Sequence, residues 1–374
     1  MTKVCFIVSS LCNEGPVNVM YNIIQYMDFS IFDVSIVTLI PEKVNSRIEE
    51  FKSFPIKIYQ IAPGKSCNTF SLYFRLRSTI SSINPDMLHA HCPRSLYLMN
   101  FLPRKFKRIY TIHIYPGLQQ EILYGKTKGR IVNFLNHYFT KKVDKAIGCA
   151  DSIGELYKKN KGWDIECIPN GSSLPLWEES SIQKEHIRKK LGLKNEIKYF
   201  IFIGRFSKEK NPELIADTFK NYQGKDIAVI MLGNGPLWDK LKEYESEKII
   251  LPGFKTNIYE YLIASDYYIS ASDVEGLANT LLESMTVGLP LLLSNIPSHR
   301  EVINKMSKCV GYIYNQKNTQ ELNKYIDEIL VLDKKAVSIE IRTVFNKYYT
   351  AKIMSEKYQR VYKSINNANQ QLAF

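Results

Sequence analysis

Short apolar runs alternate along this chain with longer segments whose apolar residues recur at helical spacing. Segments such as Val17–Met27 and Ser71–Ile83 have the 3.6-residue period of amphipathic helices. Such alternation is typical of βα units wound around a parallel sheet. In the first half, seven apolar runs predict the strands Val4–Ser9, Asp33–Leu39, Ile56–Gln60, Met87–His89, Arg108–Thr111, Lys145–Gly148 and Glu166–Ile168.

The same alternation begins again in the second half, after a polar and charged stretch. We interpret that stretch, residues 172–196, as a linker, and from Thr319 to about Ile365 the pattern is helical. The chain therefore predicts two doubly wound α/β domains, 1–172 and 173–350, with a cleft between them and ligands beyond the carboxyl ends of the strands. In the second domain the pattern predicts the strands Tyr199–Gly204, Ile227–Leu232, Asp266–Ser270 and Leu289–Ser294. The predicted helices are Pro212–Asn221, Pro236–Tyr244, Asn279–Val287 and Pro297–Ile303. Two further apolar segments are Lys248–Leu251 and Ile258–Ile263.

Composition narrows the class of protein. With 374 residues and 45% hydrophobic content, the chain suits packed cores rather than disorder, and it has no apolar run of transmembrane length. Seven cysteines without a Cys-x-x-Cys pair favour reduced thiols and a cytoplasmic location. The formal charge is +13, and residues 101–190 alone hold 17 Lys and Arg against 9 Asp and Glu.

The basic residues of this region are interleaved with apolar and aromatic ones. An anionic membrane surface, nucleic acid or simple solubilisation would each account for such a pattern. The basic residues are Arg104, Lys105, Lys107, Arg108, Lys126, Lys128, Arg130, Lys141, Lys142, Lys158 and Lys159, and the apolar ones are Phe101, Leu102, Phe106, Ile131, Phe134, Leu135, Tyr138 and Phe139.

The segment with the most chemistry is Ser270–Pro290, which contains two carboxylates eight residues apart. Glu275 precedes the predicted helix, and Glu283 lies more than one turn inside it. One carboxylate can hold sugar hydroxyls and the other a vicinal ribose diol, while the amides of Gly276 and Leu277 at the helix start suit an anion. The alternative is that both glutamates are ordinary solvated residues.

This Glu-Gly-x6-Glu-x-Met-x-x-Gly-x-Pro pattern resembles that of retaining glycosyltransferases of family 4, which have the GT-B fold. The resemblance spans the chain and implies two Rossmann-like domains facing a central cleft. It also implies that the last helix, about 351–374, packs back on the first domain; the alternative is local packing on the second. Four further segments resemble family motifs: Phe202–Asn211 (Gly-Arg…Lys-Asn), Met231–Leu237 (Gly-x-Gly-Pro), Ile168–Gly171 (Pro-Asn-Gly) and Leu251–Phe254.

The resemblance also implies roles for individual residues. Glu283 would hold the ribose, and Glu275 with the Gly276 and Leu277 amides would hold the donor sugar. Catalytic roles are expected for Glu275, His113, Arg205 and Lys210. The residues expected to bind the donor nucleotide sugar are Gly15, Asn170, Gly204, Arg205, Lys210, Gly233, Gly253, Phe254, Glu275, Gly276, Leu277, Ala278 and Glu283.

Arg205 and Lys210 suit the chemistry of a leaving diphosphate. The chain has no Asp-x-Asp motif that would hold a metal ion, so cationic side chains and a helix N-terminus would stabilise the leaving group. We therefore expect no metal ion and no cofactor. The alternative is that both residues are surface cations in a lysine-rich loop.

Three histidines follow or end predicted strands of the first domain. His89 and His91 are two residues apart, but a metal site lacks an assured third ligand. The resemblance places His113 at the transferred sugar and His91 nearer the acceptor, whereas a core or strand-end position is the alternative for all three. Gly15 and Pro16 also lie on the acceptor side, where Pro16 replaces the second glycine that family members usually carry.

The function that these residues predict is retaining transfer of a sugar from a nucleotide-diphosphate donor, a UDP-sugar, to a hydroxyl of a glycan or lipid-linked oligosaccharide. The expected setting is synthesis of bacterial surface polysaccharide (O-antigen, capsule or lipopolysaccharide) at the inner face of the cell membrane. The expected partners are the donor, the acceptor and an anionic membrane surface, and not nucleic acid. Two alternatives are a nucleotide-sugar epimerase of the same fold and a non-catalytic sugar-nucleotide-binding protein.

Overall fold

The computed structural model describes residues 1–62, 64, 68–176, 181–224 and 226–372. The chain forms two compact units. The first unit comprises Met1–Gly117, Arg130–Ser173 and the chain from Thr350 onward, and the second comprises Leu118–Gly129 and Leu174–Tyr349. Each unit contains one parallel sheet with helices wound around it, which confirms the predicted fold class.

The sheet of the first unit has the order β3-β2-β1-β4-β5-β6-β7, and every described pairing in it is parallel. Its strands are β1 (Thr2–Val8), β2 (Phe32–Thr38), β3 (Lys57–Gln60), β4 (Met87–Ala90), β5 (Lys107–Ile112), β6 (Lys145–Gly148) and β7 (Glu166–Cys167). The helices along this half of the chain are α1 (Gly15–Gln25), α2 (Ile48–Phe51), α3 (Thr69–Ile83), α4 (Pro93–Asn100), α5 (Leu118–Tyr124), α6 (Lys126–Thr140) and α7 (Asp151–Lys161).

The sheet of the second unit has the order β10-β9-β8-β11-β12-β13 and is also parallel. Its strands are β8 (Lys198–Ile203), β9 (Ile227–Leu232), β10 (Ile249–Gly253), β11 (Tyr267–Ser270), β12 (Leu291–Ser294) and β13 (Gly311–Tyr314). The remaining helices are α8 (Ser181–Leu191), α9 (Pro212–Asn221), α10 (Trp238–Lys242), α11 (Ile258–Ala264), α12 (Asn279–Val287), α13 (Pro297–Ile303), α14 (Thr319–Ile329), α15 (Lys334–Tyr348) and α16 (Ala351–Leu372).

The last helix, α16, packs against α1 in the first unit. Ser355 Oγ donates to the carbonyl of Ile23 at 2.7 Å, and Gln359 Nε2 donates to the carbonyl of Tyr26 at 3.0 Å. Tyr358 and Tyr362 are fully buried in the same core as β1. The C-terminal segment thus completes the hydrophobic core of the unit that contains the N-terminus.

The predicted linker over residues 172–196 is wrong in one part, because it contains α8. Arg188 and Lys184 of α8 donate to Asp266 at 2.6 and 3.0 Å, and Lys334 reaches the same carboxylate at 3.2 Å. The backbone amide of Tyr199 donates to Asp266 as well. Two cations of α8 therefore pair with a buried carboxylate that lies far away along the chain. This pairing explains why a segment with many charges and few apolar residues forms a packed helix.

A second correction concerns Arg108, which the sequence grouped with the surface cations. Its side chain is only 1% exposed, and one guanidinium nitrogen donates to the carbonyl of Leu102 at 2.5 Å. Leu102 and Phe106 are buried too, whereas Arg104 and Lys105 are exposed.

Strand β13, which the hydrophobic pattern did not reveal, adds an edge to the second sheet. None of the helices that the structure describes is both long and apolar enough to span a bilayer.

Candidate active site

Glu275 lies in the loop between β11 and α12, where its side chain is only 12% exposed. Its Oε1 accepts a hydrogen bond from Ser272 Oγ at 2.8 Å and forms an ion pair with the ammonium of Lys210. Burial alone raises the pKa of Glu275, but the charge of Lys210 and the two hydrogen bonds outweigh it, so the pKa lies below the ordinary value of 4.5. Glu275 is therefore an ionised carboxylate at neutral pH, held in one orientation.

Glu283 lies on the second turn of α12 and is partly exposed. Leu282 and Met285 on either side of it are fully buried and fix the helix in the core. Burial raises the pKa of Tyr268 in β11, and the charges of Glu275 and Glu283 both raise it further. The charges of both carboxylates therefore act on the same buried hydroxyl.

The N-terminus of α12 has no side-chain cap. Ala278 occupies the N-cap position and has no side chain that could accept from the first backbone amides of the helix. The preceding Gly276 and Leu277 are buried in the same loop. Amides at a helix N-terminus bind anions and hydroxyl oxygens, which agrees with the chemistry expected for this loop.

Arg205 and Lys210 lie in the loop that follows β8. Arg205 is exposed, and Lys210 ends a short 3-10 turn, Lys208–Lys210. The next residue, Asn211, has a left-handed φ of 49° and lets Pro212 begin α9 directly. This conformation brings the ammonium of Lys210 to the carboxylate of Glu275.

A backbone hydrogen bond joins this loop to the loop of Glu275. The amide of Asp273 donates to the carbonyl of Glu209 at 2.9 Å. The Glu209 side chain is itself buried and accepts from Ser207 Oγ at 2.7 Å. The Lys210–Glu275 ion pair therefore sits on two loops that are connected through the backbone.

Two glycines let the neighbouring chain approach the Arg205 loop closely. Gly233 has a φ of 151°, and a Cβ there would collide with the carbonyl oxygen of Gly204. A Cβ at Gly235 would lie 2.5 Å from the carbonyl oxygen of Phe206. The Gly-x-Gly-Pro turn after β9 thus fixes the backbone on both sides of Arg205, which no residue with a side chain could do in these positions.

The end of β10 continues the same edge of the sheet. The amide of Gly233 donates to the carbonyl of Gly253 at 3.0 Å, and Gly253 has a left-handed φ of 81°. The next residue, Phe254, has an aromatic ring that is 48% exposed. An exposed ring beside glycine backbone suits stacking with a flat base.

His299 is a site residue that the sequence did not reveal. It lies on α13, is fully buried, and its Nδ1 is 2.9 Å from the carbonyl oxygen of Ser294. Burial lowers its pKa to about 4, while the charges of Glu275 and Lys210 act on it in opposite directions. Ser294 Oγ, which lies 3.2 Å from Nδ1 of His299, donates to the carbonyl of Ser272 in the Glu275 loop at 2.7 Å. A single histidine without a recognisable spacing gave no sign of this connection.

The first unit holds the other expected site residues. His91 follows β4 and is fully buried, and its Nδ1 lies 3.1 Å from Nε2 of the partly exposed His113, which follows β5. Gly15 is exposed at the start of α1 with open space around its Cβ position, and Pro16 is next in that first turn. Asn170 is buried, and its amide donates to the carbonyl of Cys149.

Across the part of the chain that the structure describes, no three metal-ligating side chains lie close enough together to hold a metal ion.

Two doubly wound parallel sheets, together with a paired carboxylate and ammonium beyond the strand ends of the second, define a GT-B glycosyltransferase. Comparisons with known proteins give the family. The sequence model of Glycosyltransferase Family 4 matches residues 14–174, and that of Glycosyl transferases group 1 matches residues 183–343. The chain therefore contains a Glycosyltransferase Family 4 domain followed by a Glycosyl transferases group 1 domain, and it is a glycosyltransferase.

Relatives and solved structures agree with this family. The UDP-Gal:alpha-D-GlcNAc-diphosphoundecaprenol alpha-1,3-galactosyltransferase of Escherichia coli is 25% identical over 302 residues, covering 75% of this chain and 76% of the relative. The O-antigen biosynthesis glycosyltransferase WclY of Escherichia coli is 24% identical and covers 97% and 98% of the two chains. The Anabaena Alr3699/HepE structure in complex with UDP-glucose has a TM-score of 0.79 at 16% identity and covers 97% and 100%.

Proposed function

We propose that this enzyme transfers a sugar from a UDP-sugar, with retention of the anomeric configuration, to a hydroxyl of a lipid-linked oligosaccharide or glycan acceptor. The pathway we propose is synthesis of a bacterial surface polysaccharide: an O-antigen, a capsule or a lipopolysaccharide. The observation that carries the proposal is the ionised carboxylate of Glu275, only 12% exposed and paired with Lys210 in the loop that leads into α12. The names of the two Escherichia coli relatives and the UDP-glucose bound to the Anabaena protein support the choice of donor and acceptor.

The donor nucleotide sugar is proposed to bind to the second unit. Glu283 would accept hydrogen bonds from the ribose diol, and the exposed ring of Phe254 beside Gly253 would stack on the base. Glu275 and the amides of Gly276 and Leu277 would hold the hydroxyls of the sugar. The placement of the two carboxylates supports this division, because Glu275 lies in the loop before α12 and Glu283 lies one turn inside the helix.

The leaving diphosphate is proposed to be neutralised by Arg205 and Lys210 without a metal ion. The bond between the anomeric carbon and the diphosphate oxygen breaks, and the acceptor oxygen forms its bond to that carbon on the same face. The departing phosphate oxygen takes the proton of the acceptor hydroxyl. Lys210 supports this assignment because its ammonium is held beside Glu275, and a preorganised cation stabilises developing negative charge.

The first unit is proposed to supply His113 to the transferred sugar. Gly15, Pro16 and His91 remain the acceptor-side candidates, and Asn170 remains a donor-side candidate. The open space around Gly15 supports close approach of a ligand to the start of α1. His91 is fully buried, so it would act on a ligand only through His113, whose Nε2 lies 3.1 Å from its Nδ1.

Membrane association through the first unit is also proposed. Phe101, Ile131, Phe134 and Tyr138 are all exposed, and the Phe134 and Tyr138 rings stack on α6. Lys142 lies 4.0 Å above the Tyr138 ring. Arg130 and Lys161 line a cavity of about 330 Å³ together with Phe134. Aromatic and cationic side chains at one surface suit anionic headgroups.

Reversing the exposed charges near this surface is expected to release the protein from anionic vesicles. The variant is Arg104→Glu/Lys105→Glu/Lys141→Glu/Lys142→Glu, which omits the buried Arg108. Each lost cation removes on the order of 1 kcal/mol of attraction, so co-sedimentation with phosphatidylglycerol vesicles should be abolished. A matched control reverses four exposed lysines of the second unit, Lys194, Lys242, Lys308 and Lys335, and should still sediment. Equal binding by both variants, or binding that ignores salt, would contradict the proposal.

A single assay tests the proposed transfer against its rivals. The protein is incubated with a panel of UDP-sugars, with and without lipid-linked acceptors, and release of UDP is followed together with the identity of the remaining donor. Release that needs an acceptor supports glycosyl transfer. An isomerised donor without release would instead identify an epimerase, and binding without either change would identify a non-catalytic protein.

A further inference from the structure

Three histidines lie together in the first unit, and two of them have no role in donor binding. We call His89, His91 and His113 the histidine cluster. The rings of His89 and His91 are 4.3 Å apart, and those of His91 and His113 are 5.2 Å apart. His89 and His91 are fully buried, so neither can touch a ligand as they stand.

His89 is explained by the packing of the core. Its Nδ1 lies 2.8 Å from the hydroxyl of Tyr362, and its Nε2 lies 2.8 Å from Oγ1 of Thr111. Thr111 in turn lies 3.0 Å from the hydroxyl of Tyr358. Both nitrogens of His89 thus have partners on β5 and α16, as a structural buried histidine requires.

His91 is different, because its hydrogen bonds do not serve the core. Its Nδ1 contacts Nε2 of His113 at 3.1 Å, while its buried Nε2 has no partner among the residues that the structure describes. Leaving a buried polar atom unpaired costs about 1–3 kcal/mol, and an apolar side chain packed against Phe6 and His89 would avoid that cost. What the imidazole adds at this position is its contact with His113.

The contact between the two rings couples their protons. Burial lowers the pKa of both His91 and His113, so both are neutral at pH 7. A neutral imidazole has one N–H and one acceptor nitrogen, so one ring donates and the other accepts. If His91 donates through Nδ1, then His113 accepts at Nε2 and carries its own proton on Nδ1. If His113 donates through Nε2, then His91 carries its proton on Nε2. In either case the two rings carry their protons on nitrogens of the same name, both on Nδ1 or both on Nε2.

We propose that His91 is a positioning residue, which fixes the ring plane and the tautomer in which His113 meets a hydroxyl of the donor sugar. This inference rests on the proposed function, which assigns His113 to the transferred sugar. His91 is itself held on its far face by His89, whose ring is fixed by Thr111 and Tyr362. The arrangement gives a partly exposed imidazole a rigid support, and a misplacement of about 1 Å at such a group can reduce the rate about a hundredfold.

Two substitutions of His91 separate positioning from packing. His91→Leu removes the hydrogen bond, whereas His91→Asn retains an amide that can either donate or accept near the position of Nδ1. We expect His91→Leu to lower kcat with the best UDP-sugar roughly tenfold to a hundredfold, and His91→Asn to recover most of that loss. Affinity for UDP alone should be unchanged in both, because UDP lacks the sugar. The control Ser355→Ala, which removes a buried hydroxyl bonded to the carbonyl of Ile23 and outside the histidine cluster, should retain near wild-type kcat.

The tautomers are read directly by ¹⁵N NMR of histidine-labelled protein. In the wild type, His91 and His113 should carry their protons on nitrogens of the same name, and His113 should lose its single tautomer in His91→Leu. Protons on differently named nitrogens would overturn the proposal. So would unchanged His113 signals in His91→Leu, or a His91→Asn variant as slow as His91→Leu. The NMR measurement needs no substrate. If the protein transfers no sugar but its tautomers are coupled, the proposed function is refuted and the coupling of His91 to His113 is not.

Discussion

Replacing Lys210 by alanine is expected to lower kcat by at least about a hundredfold, roughly 2–3 kcal/mol of transition-state free energy. The substitution removes the cation proposed to meet the leaving diphosphate, and it also leaves Glu275 buried without its ion-pair partner. Since the charge accumulates only as the diphosphate departs, the loss should fall mainly on kcat. Steady-state release of UDP from the donor and acceptor pair measures it.

The same variant is expected to change the pH profile. Lys210 is the main reason that the pKa of Glu275 lies below 4.5, because burial by itself raises it. Without that ammonium the pKa of Glu275 rises, and the acidic limb of kcat/KM should move to higher pH. Lys208→Ala is the matched control, since Lys208 is exposed on the same 3-10 turn. Equal turnover in the two variants would remove Lys210 from the site.

The largest expected effect on stability follows from Asp266→Ala. Arg188 and Lys184 would keep their positive charges at a buried position without the carboxylate that now accepts from them at 2.6 and 3.0 Å. Removing one partner of a buried ion pair typically costs about 3–5 kcal/mol. We expect the free energy of unfolding of the second unit to fall by that amount, measured by urea denaturation with hydrogen exchange of the amides of β8 and β11.

The acid limit of stability gives an independent check on Asp266. Burial raises its pKa, but the charges of Lys184, Lys334 and Arg188 outweigh this and lower the pKa from 3.8 to about 2. A depressed folded-state pKa means that the stabilisation is present above pH 4 and is lost as the pH falls toward 2. This part of the acid sensitivity should vanish in Asp266→Ala. A change in unfolding free energy below about 0.5 kcal/mol would contradict the account of α8.

Much of the fold could be predicted because each strand is a short apolar run between amphipathic helices. Parallel strands covered on both faces leave that signal along the sequence. The pattern failed for α8, where few apolar residues are present and the stabilising partner, Asp266, lies about 80 residues further along the chain. It also failed for Arg108, because a charged residue near the start of a strand gives no sign of whether its side chain is solvated or buried.

The acidic loop was recognisable because Glu275, Gly276 and Glu283 lie within one short segment and their spacing reflects one loop and one helix. What the spacing could not predict is how the loop is held. The backbone bond from Asp273 to Glu209, the proximity of His299 and the contact of His91 with His113 each join residues that follow different strands. All of these residues lie in loops or helices that follow the strands, so their contacts depend on strand order and register, which a single sequence does not specify.

The central proposal is that this glycosyltransferase transfers a sugar with retention, using its own cations at the diphosphate. The most direct test is to incubate it with the UDP-α-sugar that it accepts and a lipid-linked acceptor in excess EDTA, and to determine the configuration of the new glycosidic bond by NMR. The account predicts stoichiometric UDP release and an α-linked product, at the same rate with and without EDTA. A β-linked product, or activity that EDTA abolishes and a divalent ion restores, would contradict it.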